Sequence, residues 1–125
     1  MTKRQREIVL GTILGDGSLE FNGYRGTRLQ IKQQKKNRDY VLWLYRELFD
    51  LCKTPPKQRK DTMQWYFSTR ALGELTELHE IFYRNHKKVL PTDISTLITS
   101  SLSIAIWYMD EGTLDYRPKS HYNFR

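Results

Sequence analysis

Apolar residues recur at helical spacing from the start of the chain. Ile8, Val9, Ile13 and Leu14 share one face of a segment that spans residues 3–15. Thr2, with Gln5 three positions on, supplies a capping box, and Gly15-Asp16-Gly17 stops the helix. The period then changes to two, over residues 18–23 and 27–34. Leu29 and Ile31 alternate with Arg28, Gln30 and Lys32, which predicts a strand with one apolar face and one cationic, amide-bearing face. Asn22-Gly23-Tyr24-Arg25-Gly26 predicts the link between the two strands. After Asn37 the helical period returns through Tyr40, Val41, Leu44, Leu48 and Phe49, to about Cys52, and Pro55-Pro56 breaks it. A basic stretch from Lys57 to Lys60, a turn at Asp61-Thr62 and an aromatic-rich strand from Met63 to Thr69 predict a second strand pair. Trp65 and Phe67 are its core residues. Leu72, Leu75, Leu78 and Phe82 predict a helix over 71–84. A basic link, His86-Lys87-Lys88, a short helix over 93–99 and a last helix over about 101–111 complete the series.

The predicted order is helix, two strands, helix, two strands, helix, and then a helix that echoes the first. Val9 to Gly17 reads V-L-G-T-I-L-G-D-G, and Ile104 to Gly112 reads I-A-I-W-Y-M-D-E-G. Either segment alone is an ordinary acid-glycine helix stop. As a pair they place two carboxylates, Asp16 and Glu111, where the helix macrodipole is negative. Two acids brought together there would repel each other, and a divalent cation relieves both penalties. Carboxylate oxygens suit Mg²⁺ (or Mn²⁺), which also binds phosphate and water.

Composition narrows the partner. The 125 residues carry 21 Lys and Arg against 14 Asp and Glu, a formal net charge of +7. A folded basic chain of this kind favours a polyanion, nucleic acid first. No apolar run approaches the ~20 residues of a bilayer span, so no membrane partner is expected. Cys52 is the single cysteine, which excludes a disulfide and a cysteine zinc site within one chain. His79, His86 and His121 lack metal-ligand spacing. An intracellular protein is expected, in a bacterial cytoplasm or in an organelle (mitochondrion or chloroplast).

The motifs L-G-D-G-S-L-E at 14–20, K-K-V-L-P at 87–91 and S-I-A-I-W-Y-M-D-E-G at 103–112 resemble those of the LAGLIDADG homing endonucleases. The resemblance covers nearly the whole chain. It implies an α+β fold: an αββαββα half-domain with a curved antiparallel four-stranded sheet over residues 1–100. The second motif helix and the start of a truncated second half would occupy 101–125. It implies a Mg²⁺-dependent double-strand DNA endonuclease of the intron or intein homing type. The alternative is a relative that has lost cleavage and binds nucleic acid as an RNA maturase or transcription regulator. Since the chain ends 13 residues beyond Gly112, a fragment or truncated form is expected. A second half-domain in a longer chain, or a second copy, would complete the site.

Carried over by position, the acid just before each glycine is the metal ligand, which selects Asp16 and Glu111. Asp110 is expected to face elsewhere on its helix. Gly11 is expected at the helix contact with Ala105 opposite, and Ile106 stands where the second motif would have its glycine. Lys88, with Lys87 next to it, matches the family's lysine near the reacting phosphate, and Gln33, or Gln34, the polar residue that organises water there. Arg28, Gln30, Lys32, Lys57, Arg59 and Gln64 are expected to reach base edges of double-stranded DNA. Lys35, Lys36 and Arg38 are expected on phosphates.

Overall fold

The first helix, α1 (Lys3–Leu14), starts as its capping residues dictate. The Thr2 hydroxyl accepts from the Gln5 N–H at 3.0 Å, and the Gln5 side chain accepts from the Thr2 N–H at 2.9 Å. Gly15 closes it by donating to the carbonyls of Gly11 and Thr12. A computed structural model describes residues 1–114 of the chain, apart from the side chains of Arg25 and residues 111–114.

Strands β1 (Ser18–Phe21) and β2 (Thr27–Gln33) follow, then helix α2 (Arg38–Glu47) and strands β3 (Lys57–Gln58) and β4 (Trp65–Ser68). The four strands form one antiparallel sheet in the order β1-β2-β4-β3. The alternation read from β2 fixes its faces. Thr27, Leu29, Ile31 and Gln33 are buried, while Arg28, Gln30 and Lys32 point to the open face. Trp65 and Phe67 lie on the covered side as expected, and Tyr66 between them faces out.

Helix α3 (Gly73–Phe82) and α2 cover the closed face, with α1 alongside. Leu29, Ile31, Val41, Leu44, Phe67, Leu75, Leu78 and Phe82 form the core with Ile8, Val9 and Ile13. Each such side chain contributes about 1.5–3 kcal/mol by leaving water. Helix α2 is shorter than its apolar period implied. It ends at Glu47, a single 3-10 turn covers Phe49–Leu51, and Phe49 is exposed rather than core.

Helix α3 also stops early. Residues after it form a two-stranded hairpin, β5 (Tyr83–Arg84) and β6 (Lys87–Lys88), where the sequence predicted a helix end and a link. Its turn residues Asn85 and His86 have φ of 51° and 65°, the geometry that matches strand twist in a two-residue hairpin.

A short helix, α4 (Ile94–Leu97), leads to α5 (Ser101–Leu114), which packs along α1. Helix α5 runs on through Glu111 and Gly112, so its acid-glycine pair does not end it. At Gly11 an added Cβ would lie 2.6 Å from both the Ile106 Cβ and the Ser103 carbonyl. The residue opposite Gly11 is therefore Ile106, and Ala105 is turned outward. The outer face of α5 leaves Ile104, Trp107, Tyr108 and Met109 exposed.

Candidate active site and nucleic-acid interface

Asp16 stands just beyond the end of α1, in the turn that enters β1. Its Oδ2 accepts from the Gln33 Nε2 at 2.8 Å. Gln33 closes β2 and is 3% exposed, so its amide is held by burial as well as by bonding. A carboxylate only accepts, so the amide nitrogen must face Asp16. The amide oxygen then faces Asn37, whose Nδ2 donates to it at 3.0 Å. Asn37 precedes α2, so α1, β2 and α2 jointly fix the direction of one carboxylate.

Asp110 does not face elsewhere. It is 1% exposed and fills the space beside Gly15, where an added Cβ would collide with its carboxyl group. Its Oδ2 accepts from the Asp16 backbone N–H at 3.0 Å, and its Oδ1 accepts from the Tyr40 hydroxyl at 2.6 Å. The Tyr40 phenol is pushed far above its ordinary pKa, first by burial and then by the Asp110 charge, so it remains a donor.

Lys88 reaches the same turn from the hairpin. Its Nζ donates to the Gly17 carbonyl at 2.7 Å and the Gly15 carbonyl at 3.2 Å. The residue as a whole is exposed, but its bond to Gly17 is partly shielded. Burial lowers its pKa from the ordinary lysine value, against the opposing pull of Asp16 and Asp110. Its neighbour Lys87 is exposed. Glu111 lies on α5, one residue beyond Asp110, and its side chain is outside the described residues.

At this turn the Asp16 carboxylate offers oxygen, while the Gly15 and Gly17 carbonyls already accept from Lys88. No cluster of three or more His, Cys, Asp or Glu that could hold a metal exists among the described residues. A carboxylate suits a hard cation, which takes one or two carboxylates and fills its remaining positions from phosphate and water.

The turn opens onto the sheet. A single recess is lined by Asp16 and Gln33 at one end and by Arg28, Gln30, Lys32 and Gln64 along its floor. Strand register places Lys32 opposite Tyr66, and Tyr66 opposite Lys57, so these three share the open face. Lys35 and Lys36 border a neighbouring recess with Gln64 and Met63. Arg59 is engaged within its own hairpin, donating to both Asp61 oxygens at 3.0 and 2.9 Å. The Arg59 guanidinium, with the Thr62 N–H, holds the exposed Asp61 carboxyl down at about 2. Arg38 stacks its guanidinium over the Trp65 ring at 5.2 Å instead of standing free over the groove.

Three residues around this site were given no role from the sequence: Asn37, Tyr40 and Tyr66. Tyr66 could have been found by placing it between the inward-facing Trp65 and Phe67. Tyr40 and Asn37 carry no local signal, because their partners lie on other elements.

Residues 6–122 match the model of the LAGLIDADG DNA endonuclease family. The chain is 36% identical over 123 residues to the cytochrome b mRNA maturase bI2 of Debaryomyces hansenii, covering 90% of this chain and 47% of that protein. It is 25% identical over 138 residues to the DNA endonuclease I-ChuI of Chlamydomonas applanata, covering 97% and 63%. The solved structure of the homing endonuclease I-WcaI bound to its DNA recognition sequence aligns at TM-score 0.77 and 26% identity, covering 88% of this chain and 51% of that one. The chain thus spans 47–63% of the length of these three relatives. Among the described residues no helix is long and apolar enough to cross a membrane.

Proposed function

The chain belongs to the LAGLIDADG DNA endonuclease family and has its fold, and from that premise we propose that it forms one half of a site-specific, divalent-metal-dependent endonuclease acting on double-stranded DNA. A further stretch of chain or a second copy would supply the other half. The observation that carries this reading is the Asn37–Gln33–Asp16 chain of hydrogen bonds, which aims a carboxylate into the recess floored by Arg28, Gln30 and Lys32.

In this reading Asp16, together with Glu111, holds Mg²⁺ or Mn²⁺. When bound, that ion would supply Lewis-acid charge at a phosphodiester and lower the pKa of water. The chain's own residues do the rest. Gln33 fixes the direction of the Asp16 carboxylate and keeps an amide at the site to orient water. Lys88, tethered to the two carbonyls that flank Asp16, places a positive charge where negative charge grows on the phosphate. Arg28, Gln30, Lys32, Lys57 and Gln64 meet the base edges, and Lys35 meets the backbone. Arg59 needs to exchange Asp61 for a base or phosphate before it contributes.

One observation favours a second reading. The maturase relative is 36% identical across nine-tenths of the chain. A protein that keeps the same surface for nucleic acid, without cleavage, accounts for that likeness equally well. One assay separates the two. Supercoiled plasmids that carry a random-sequence library are incubated with the chain completed by its second half-domain and Mg²⁺, with and without chelator, and binding to structured RNA is measured in parallel. Chelator-sensitive nicking at a discrete sequence supports the nuclease. Tight RNA binding without nicking at any metal concentration overturns it in favour of the binding protein.

A further inference from the structure

The four strands of the sheet contain one acidic residue, Glu20. It sits on the open face of β1, directly opposite Arg28 of β2. Its Oε1 accepts from the Arg28 Nε at 2.6 Å, and the Gln30 Nε2 lies 3.5 Å from the same oxygen. Glu20 and Arg28 are about half exposed, and both line a second recess on the sheet with Ser68 and Arg70.

A carboxylate is out of place on a surface that meets phosphates. It weakens sequence-independent attraction, which grows with each phosphate a protein neutralises. An exposed ion pair contributes too little to stability to explain its position. A carboxylate is useful on this face for what it can accept. In the major groove, guanine offers the O6 and N7 acceptors and its partner cytosine offers the N4–H donor. Arg28 supplies donors in a fixed fork, and Glu20 supplies an acceptor beside it.

We propose that Glu20 is a specificity-determining residue. With Arg28 it reads one G·C base pair, Arg28 on the guanine and Glu20 on the cytosine amino group. Glu20 also restrains Arg28 from engaging a phosphate, and so lowers affinity for duplexes that lack the pair. The inference rests on the DNA-binding reading above and names the base pair that one part of that surface selects.

The test is selection of bound duplexes from a random library by the 125-residue chain at low ionic strength, followed by sequencing. Wild type, Glu20→Ala and Glu20→Gln are compared, with Lys35→Ala as a variant of the phosphate class. Wild type should enrich G·C at one position served by β1 and β2. Glu20→Ala should reduce that preference about tenfold. It should also bind random duplex more tightly than wild type, with a salt dependence steeper by about one ion. Glu20→Gln keeps the size and an acceptor oxygen but loses the charge. It should retain part of the preference while sharing the gain in random-duplex affinity. Lys35→Ala should weaken all duplexes alike. If wild type selects a sequence and neither Glu20 variant changes any position, the role of Glu20 is wrong while the DNA reading stands. If wild type binds no duplex, or binds with no sequence preference, the DNA reading fails and the role of Glu20 fails with it.

Discussion

The two motif helices carry matching sequence segments but opposite kinds of residue at the positions that meet. Gly11 of α1 faces Ile106 of α5, and Gly15 faces Asp110. In the two echoing segments these are equivalent positions, so each small residue of α1 touches its own counterpart in α5. The contact is small against large, not small against small. Each helix is therefore shaped to the other at these two positions. The same difference gives the α1 turn its support. Asp110 has no glycine-sized gap to leave, and it uses its bulk to hold the Asp16 backbone.

Overfilling the small side should do most harm. Gly11→Val places atoms where Ile106 and the Ser103 carbonyl already sit, and should cost about 3 kcal/mol. Thermal melting should fall by roughly 10 °C, and adding Ile106→Ala should recover part of the loss because the two sites are in contact. Full additivity of the pair would mean that the helices do not meet there.

Removing the large side should cost somewhat less. Asp110→Ala leaves the Tyr40 hydroxyl and the Asp16 N–H without their acceptor, for an expected loss of about 2–3 kcal/mol in urea unfolding. Tyr40→Phe removes the hydroxyl that donates to Asp110 and should cost about 1.5 kcal/mol. Equal stability of the Asp110→Ala protein and wild type would show that the carboxylate is not the support of the turn.

The smallest effect concerns Lys88 and pH. Its folded-state pKa is lowered by burial from 10.5. The unfolded chain therefore keeps this proton to higher pH than the folded one. Between the lowered value and 10.5 the unfolded state binds more protons, so this group makes stability rise with pH across that window. Lys88→Met should remove that rise when urea midpoints are followed from neutral pH upward. An unchanged pH profile would place the ammonium in ordinary solvent instead of against the Gly17 carbonyl.

Much of the fold was legible because its signals are local. The alternation around Leu29 and Ile31, the capping box at Thr2 and the Pro55-Pro56 break each act within a few residues. The four-stranded antiparallel sheet and its helical cover followed from them. The hairpin at 83–88 was not legible, because Asn85 and His86 adopt positive φ without glycine. Asp16, Gln33 and Lys88 were chosen by position, and their side chains converge at the turn after α1. Asp110 was misplaced because its direction depends on how α5 is rotated against α1, a contact across 94 residues of sequence. Counting back from a glycine names a candidate ligand but cannot tell where the preceding acid points. Ala105 was chosen opposite Gly11 on the rule that small residues meet small ones, whereas this interface pairs small with large.

The central claim is that the carboxylate held by Gln33 at the end of α1 does hydrolytic work on DNA. Its most direct test is Mg²⁺-dependent plasmid nicking by Asp16→Asn beside wild type, each completed by its second half-domain, with duplex affinity measured on the same samples. Asparagine keeps the size of the side chain and removes its charge. The account predicts that nicking is lost while duplex affinity stays near wild type. Nicking at the wild-type rate by Asp16→Asn would contradict it.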